Sequence, residues 1–351
     1  MRKILFCLIV ISALGLSASP AFSADLPKVA ILATGGTIAG QAASGTQLTG
    51  YKAGVLTPEQ LIAAVPSLTE FARISAEQVA SISSNNMTLD IWLKVAKRAN
   101  ELLAGDTDGI VITHGTDTME ETAYFLNLVI KSKKPVIVVG AMRPATAISA
   151  DGPLNLLQAV AIAGSKDAMG KGVMVLLNGE INGARDVTKT STTQVETFRS
   201  NDLGYLGYVV NHKPVFYRTP ARKHTVDTEF DISKLEKLPK VEIVYNYVDP
   251  GMDALNGIIA GKPEGIVSAG SGNGSQFNAF EKVLAEAAKG GIAVVRSSRV
   301  GTGVVTFNKR YDEANLLAGD NLNPQKARIL LMLALTKTKD PKEIARMFAT
   351  Y

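Results

Sequence analysis

The chain has 351 residues, 46% hydrophobic and 20% charged. That is enough apolar material for two domains of roughly 150 residues and too much for a disordered or collagen-like chain. Lys and Arg number 37 against 32 Asp and Glu, and with Arg2 and Lys3 of the leading segment set aside the surplus is too thinly spread to give a focused field for nucleic acid or an anionic membrane.

Residues 1–23 open with Arg2 and Lys3, continue with an apolar run over 4–16 and end in small residues, with Ala21 and Ser23 placed for cleavage before Ala24. This is the pattern of a secretory signal peptide. Ser12 and Gly15 interrupt the run, which falls short of the ~20 apolar residues of a spanning helix. The mature protein is expected to be periplasmic or secreted, with no membrane or nucleic-acid partner. The one cysteine, Cys7, lies inside the signal, so the mature chain is expected to have no disulfide and no thiol nucleophile. With only His114, His212 and His224, no metal centre is expected.

From residue 28 short apolar runs alternate with helical spacing, the signature of strands covered on both faces of a parallel sheet. Strands are predicted at VAILA (29–33), VASIS (79–83), GIVIT (109–113), PVIVVG (135–140) and GVMVLL (172–177), and helices at 89–103, 119–130 and 154–163. Around 209–216 the alternation weakens. The charged, proline-bounded stretch 218–239 reads as an interdomain linker. Beyond it, strands are predicted near 241–247, 265–270 and 292–298, with helices near 252–260, 277–288, 324–335 and 341–350. The expectation is a two-domain α/β protein: a larger N-terminal domain (24–217) with a doubly wound, mostly parallel sheet, the linker, and a smaller C-terminal α/β domain (240–351).

Ligands of open α/β sheets bind outside the carboxyl ends of the strands, and three of these turns are rich in hydroxyls. TGGTIAG (34–40) lets the backbone approach a small ligand at Gly35 and Gly36 and presents Thr37. It matches neither G-x-G-x-x-G nor the P-loop. THGTDTMEETAYFL (113–126) places His114, Thr116 and Asp117 before an amphipathic helix, where helix capping is the competing role for the Thr–Asp pair and a packed structural role is expected for His114. GARDVTKTST (183–192) sets Lys189 among hydroxyls. Such a lysine can serve as a base beside Thr and Asp, or stand as a solvated loop charge.

Taken together, TGGTIAG, HGTDTMEETAYFL, VGAMRP (139–144), SADGPLN (149–155), RDVTKT and LNPQKARILL resemble the bacterial type II, exported L-asparaginases, including the glutaminase-asparaginases, in order and over essentially the whole mature chain. The resemblance implies hydrolysis of L-asparagine to L-aspartate and ammonia by a threonine nucleophile, without cofactor. It also implies a homotetramer whose active sites are shared between subunits. On the same resemblance, Thr37 is the nucleophile and Tyr51 the mobile-loop tyrosine that activates it. Thr116, Lys189 and Asp117 form a second triad. Ser84 holds the substrate carboxylate, Asp117 also meets the ammonium, and the backbone of Ala141 contacts the amide. Asn273 and Ser275 reach across the subunit interface. Two positions depart from the pattern: Asn85 stands where the family has Gln or Glu, and near 300–313 Asp312 or Glu313 takes the place of a cross-subunit glutamate. Ala104 and Ser132 lie near the positions of a disulfide found in some relatives.

Two other functions fit parts of the chain. A periplasmic amino-acid-binding protein shares the two α/β lobes and the signal peptide, and needs no nucleophile such as Thr37. An enzyme of the same family acting mainly on glutamine shares all the motifs. A serine hydrolase is disfavoured, because no G-x-S-x-G elbow occurs. The basic runs 131–134 and 221–224 read as solvated surface charge.

Overall fold

The computed structural model describes residues 25–351, so the expected signal peptide and Cys7 lie outside the described residues. The larger domain is built on one eight-stranded sheet. Its parallel part contains β1 (Lys28–Gly35), β2 (Arg73–Ile82), β3 (Gly109–Thr113), β4 (Val136–Val139) and β5 (Val173–Leu177), in the spatial order β2-β1-β3-β4-β5. Every residue of β3, β4 and β5 is buried, which is why these strands read as continuous apolar runs. Alternate side chains feed two cores. Ile110, Ile112 and Val138 face α2 (Leu89–Ala104) and α3 (Met119–Val129), whereas Val111, Ile137 and Val139 face α4 (Gly152–Ala163), with α1 (Pro58–Ala63) on the same side.

The sheet extends further than the apolar runs indicate. β2 starts six residues before the predicted 79–83 segment; as an edge strand it is mostly half-exposed, so its polar residues hide it. An Asn178–Gly179 turn with both φ positive leads from β5 into antiparallel β6 (Glu180–Gly183). After the short ribbon of β7 (Thr188–Lys189) and β8 (Phe198–Arg199), β9 (Gly207–Val210) and β10 (Lys213–Phe216) complete the sheet as a hairpin. Its turn residues, Asn211 and His212, also have positive φ, the geometry that matches strand twist in a two-residue loop.

Residues 218–239 contain one short 3-10 turn at Thr225–Asp227. Phe230 and Ile232 within this stretch are buried, with Phe230 against the Tyr351 ring at 5.0 Å. The second domain has a four-stranded parallel sheet of β11 (Val241–Tyr245), β12 (Gly265–Gly270), β13 (Ala293–Ser298) and β14 (Leu316–Ala318). Its helices are α5 (Asp253–Ala260), α6 (Asn278–Lys289), α7 (Lys309–Asp312), α8 (Pro324–Leu335) and α9 (Pro341–Thr350). The two-domain α/β expectation holds. Helix α8 packs on α3 of the first domain, and the two domains share one apolar core. At their junction the Arg185 guanidinium donates to Asp320 Oδ2 at 2.9 Å, Asn321 Oδ1 at 2.5 Å and the Tyr351 carbonyl at 2.6 Å.

Candidate functional site

The carboxyl ends of β1, β2 and β3 are drawn together by backbone packing that only glycine permits. Gly36, at φ 81°, lies so close to the next turn that a Cβ there would stand 2.2 Å from the Gly115 nitrogen. A Cβ on Gly115 would in turn meet Ser84 Oγ at 2.6 Å. Both gaps are too short for a carbon atom, so the TGGT, SNN and HGTD turns form one floor. Thr34 Oγ1 adds a bond to the Thr113 carbonyl at 2.8 Å.

Above this floor lies a cavity of about 580 Å³ whose lining includes Thr37, Tyr51, Thr116, Asp117 and Lys189. Thr37 is buried in a 3-10 turn right after β1. Its Oγ1 lies 2.7 Å from Tyr51 Oη, with either oxygen able to donate. Burial raises the Tyr51 phenol above its usual value, and the bond to Thr37 opposes this without cancelling it. Tyr51 sits on a flap anchored by the Gln41–Lys52 bridge, by Gly54 N to the Gly36 carbonyl at 3.0 Å, and by Ala42 N to Thr146 Oγ1 at 2.9 Å.

Across the cavity, Lys189 Nζ donates to Thr116 Oγ1 at 3.0 Å and to Asp117 Oδ1 at 2.7 Å. Thr116 is buried, Lys189 mostly so, and the Asp117 side chain is more than half exposed. Ser84, buried in the 3-10 turn after β2, accepts from Asp117 N at 3.1 Å, while its carbonyl accepts from Thr118 Oγ1 at 2.8 Å. The site therefore holds two hydroxyls in separate polar settings, one beside a phenol and one beside an ammonium. This suits chemistry in which one hydroxyl attacks and a second hydrogen-bonded set moves protons.

The other sequence-predicted residues lie around or away from this cavity. Ala141 is fully buried, next to the cavity-lining Met142. Asp151 positions that loop by accepting from the backbone nitrogens of Met142 and Arg143, each at 2.9 Å. Asn85 is exposed beside Ser84, and its Nδ2 lies 3.4 Å from Asn86 Oδ1. Asn273 and Ser275 are exposed on the second domain, outside this chain's own cavity, with Asn273 bonded reciprocally to Thr306 at 2.9 and 2.8 Å. Glu313 is exposed and pairs with Lys309 at 3.7 Å, and Asp312 accepts from Asn308 N at 2.6 Å.

His114 is fully buried beneath the site. Its Nδ1 donates to the Gly115 carbonyl at 2.7 Å, which leaves Nε2 to accept from Thr122 Oγ1 at 2.8 Å. Trp92 Nε1 donates to the same Thr122 oxygen at 2.7 Å. Burial pushes the imidazole down to about 4, so it stays neutral and structural. Sequence reasoning missed Arg143, Gln194 and Glu120. The first two line the cavity, and Glu120 accepts from Lys189 N at 2.7 Å.

Two family models cover this chain: "Asparaginase, N-terminal" over residues 28–222 and "Glutaminase/Asparaginase C-terminal domain" over 240–348. The chain is 54% identical over 336 residues to L-asparaginase 2 of Bacillus subtilis, covering 95% of this chain and 89% of that protein. It is 52% identical over 339 residues to a Haemophilus influenzae protein named "Probable L-asparaginase periplasmic", covering 96% and 97% respectively. Among solved structures, one titled a probable cytoplasmic L-asparaginase from Campylobacter jejuni superposes with a TM-score of 0.91 at 52% identity, covering 93% of this chain and all of that one.

Proposed function

The chain belongs to the asparaginase family, and on that premise we propose that it hydrolyses the side-chain amide of L-asparagine to L-aspartate and ammonia, with glutaminase activity beside it. The observation that carries the reading is the pairing of Thr37 with Tyr51 on one wall of a cavity whose other wall presents Thr116, Lys189 and Asp117. A solute-binding protein has no use for two activated hydroxyls, and the named relatives lend that alternative no support.

Thr37 Oγ1 attacks the amide carbon while its proton passes through Tyr51 Oη. The C–N bond then breaks as the nitrogen takes up a proton, releasing ammonia and leaving an ester on Thr37. Water, its proton drawn into the Thr116–Lys189–Asp117 set, cleaves that ester to aspartate and restores the threonine. An amide is a poor electrophile, so each part matters: a positioned acid or base contributes ~10²–10⁴ in rate, and an oxyanion donor ~10²–10³.

Ser84 and Asp117 hold the substrate's α-carboxylate and α-ammonium, and the Ala141 backbone orients the amide. Asn273 and Ser275, with Glu313 or Asp312, complete the neighbouring subunit's site in a homotetramer. Their exposure outside their own chain's cavity is consistent with that role. The pattern of residues 1–23 and the name of the Haemophilus relative support export to the periplasm.

The test is ammonia release by purified residues 24–351 from L-asparagine and, in parallel, L-glutamine. Thr37→Ala and Thr116→Ala should each retain less than about a tenth of the activity. Release at the wild-type rate by Thr37→Ala would rule out the threonine nucleophile. Sedimentation of an active monomer would rule out the shared site.

A further inference from the structure

Lys189 lies on β7, a strand of only two residues paired with the equally short β8. Such a ribbon cannot by itself hold a lysine ammonium between two partners. The support comes from behind. Glu120, in the first turn of α3 and only 4% exposed, spends both carboxylate oxygens on this task. Oε2 accepts from the Lys189 backbone nitrogen at 2.7 Å, while Oε1 accepts from Asn323 Nδ2 at 2.9 Å and Gln325 Nε2 at 2.7 Å.

Asn323 is the N-cap of α8 in the second domain, accepting from Lys326 N at 3.0 Å. In the same first turn, the buried Lys326 ammonium donates to the Arg185 carbonyl at 2.9 Å and to the Val187 carbonyl. The first turn of α8 thus grips the 185–189 backbone twice, once directly and once through Glu120.

We propose that Glu120 is a positioning residue: it fixes the Lys189 backbone against the first turn of α8, and so ties the placement of Lys189 Nζ on Thr116 and Asp117 to the docking of the second domain. The inference rests on the amidohydrolase reading above and deepens it. Removing the buried carboxylate leaves a half-buried N–H and two half-buried amides without their acceptor, and the ribbon shifts to recover partners. A displacement of about 1 Å costs about 10²-fold in rate.

The experiment compares Glu120→Ala, Glu120→Gln and Gln325→Ala in the mature full chain, with kcat and KM for asparagine measured across pH. Glu120→Ala should lower kcat about 10²-fold with KM within about threefold, because the substrate-holding Ser84 turn is untouched. The pH profile of kcat should move as well, since the proton-moving set of Thr116, Lys189 and Asp117 is no longer held in one arrangement. Glu120→Gln keeps one acceptor oxygen for Lys189 N and should recover at least about a tenth of kcat. A merely structural role predicts otherwise: loss in proportion to unfolded protein by near-ultraviolet circular dichroism, with an unchanged pH profile in what remains, and that result overturns the proposal. If Glu120→Ala does not fold, Gln325→Ala decides, because it removes one of two donors to Oε1 without touching Lys189. A reduced kcat with a shifted profile upholds the proposal, and wild-type values overturn it. Wild-type protein that releases no ammonia would instead remove the underlying reading.

Discussion

Tyr51 Oη stands 2.7 Å from Thr37 Oγ1, so a residue carried on the loop that the Gln41–Lys52 bridge anchors is also the hydrogen-bond partner of the candidate nucleophile. Because burial raises the Tyr51 pKa, the ring is a neutral phenol near pH 7. It must relay the threonine proton as it moves and does not hold a standing negative charge. Tyr51→Phe keeps the ring and the flap's backbone anchors and removes only that oxygen. Its kcat should fall ~10²–10⁴-fold with little change in KM; retention of more than about a tenth of kcat in an ammonia-release assay would take Tyr51 out of the chemistry.

Gly115→Ala tests the floor of the cavity. The added methyl would stand 2.6 Å from Ser84 Oγ and 2.8 Å from Ser84 Cβ, and Ser84 is too short to swing aside. The turn carrying Ser84 must move, breaking its 3.1 Å bond from Asp117 N. We expect a loss of about 1–3 kcal/mol in stability, as for other overpacked sites, and a fall in kcat/KM of about 10²-fold. Thermal unfolding and kinetics measure the two effects separately. Wild-type kcat/KM would mean that Ser84 can be displaced without consequence.

His114 makes folding sensitive to acid. Its folded-state pKa is pushed down to about 4, against 6.5 for a free imidazole, chiefly by burial and against the opposing bond to the Gly115 carbonyl. Between those values the unfolded chain binds the extra proton. The stabilisation is therefore complete above pH 6.5 and is lost as the pH falls toward 4, by on the order of 3 kcal/mol. His114→Gln should lower stability at pH 7 yet show a smaller drop from pH 7 to pH 5 than the wild type. Equal drops in urea unfolding experiments would contradict the assignment.

What can be read from the sequence follows the physics of burial. β3, β4 and β5 are legible because both faces are covered. The first six residues of β2 are not, since an edge strand carries Arg73, Glu77 and Gln78 where a central strand would carry Val or Ile. The Asn178–Gly179 turn offers a hairpin signal ahead of β6 that apolar runs alone do not convey. In the site, Thr37, Thr116 and Lys189 stand out as hydroxyls and a lysine in turns at or beyond strand ends. Glu120 does not, because an acidic residue in the first turn of a helix is what the helix dipole alone favours. Its partners are a backbone nitrogen and the side chains of Asn323 and Gln325, the former 203 positions away, and no local pattern connects them.

On the family resemblance Asn85 stands where Gln or Glu is expected, and in the proposed site its shorter side chain bears on substrate recognition. The side chain is exposed beside Ser84, and the one hydrogen bond its amide makes among the described residues is a long one of 3.4 Å to Asn86. In the proposed site it faces the substrate's α-amino end one methylene short of the Gln or Glu that the resemblance implies, and the proposal places a bridging water in that gap. Asn85→Gln restores the reach and replaces that water by a direct bond. A hydrogen bond to a charged ammonium contributes roughly 1.5–3 kcal/mol net, of which the bridging water already supplies a part, so KM for asparagine should fall about fivefold at constant kcat. Succinamic acid, which is asparagine without the amino group, provides the control. Its KM should not differ between the wild-type enzyme and the Asn85→Gln variant, because the group that the longer amide recognises is missing. An equal improvement for both substrates would show that the substitution acts on the flap or on folding and not on the ammonium.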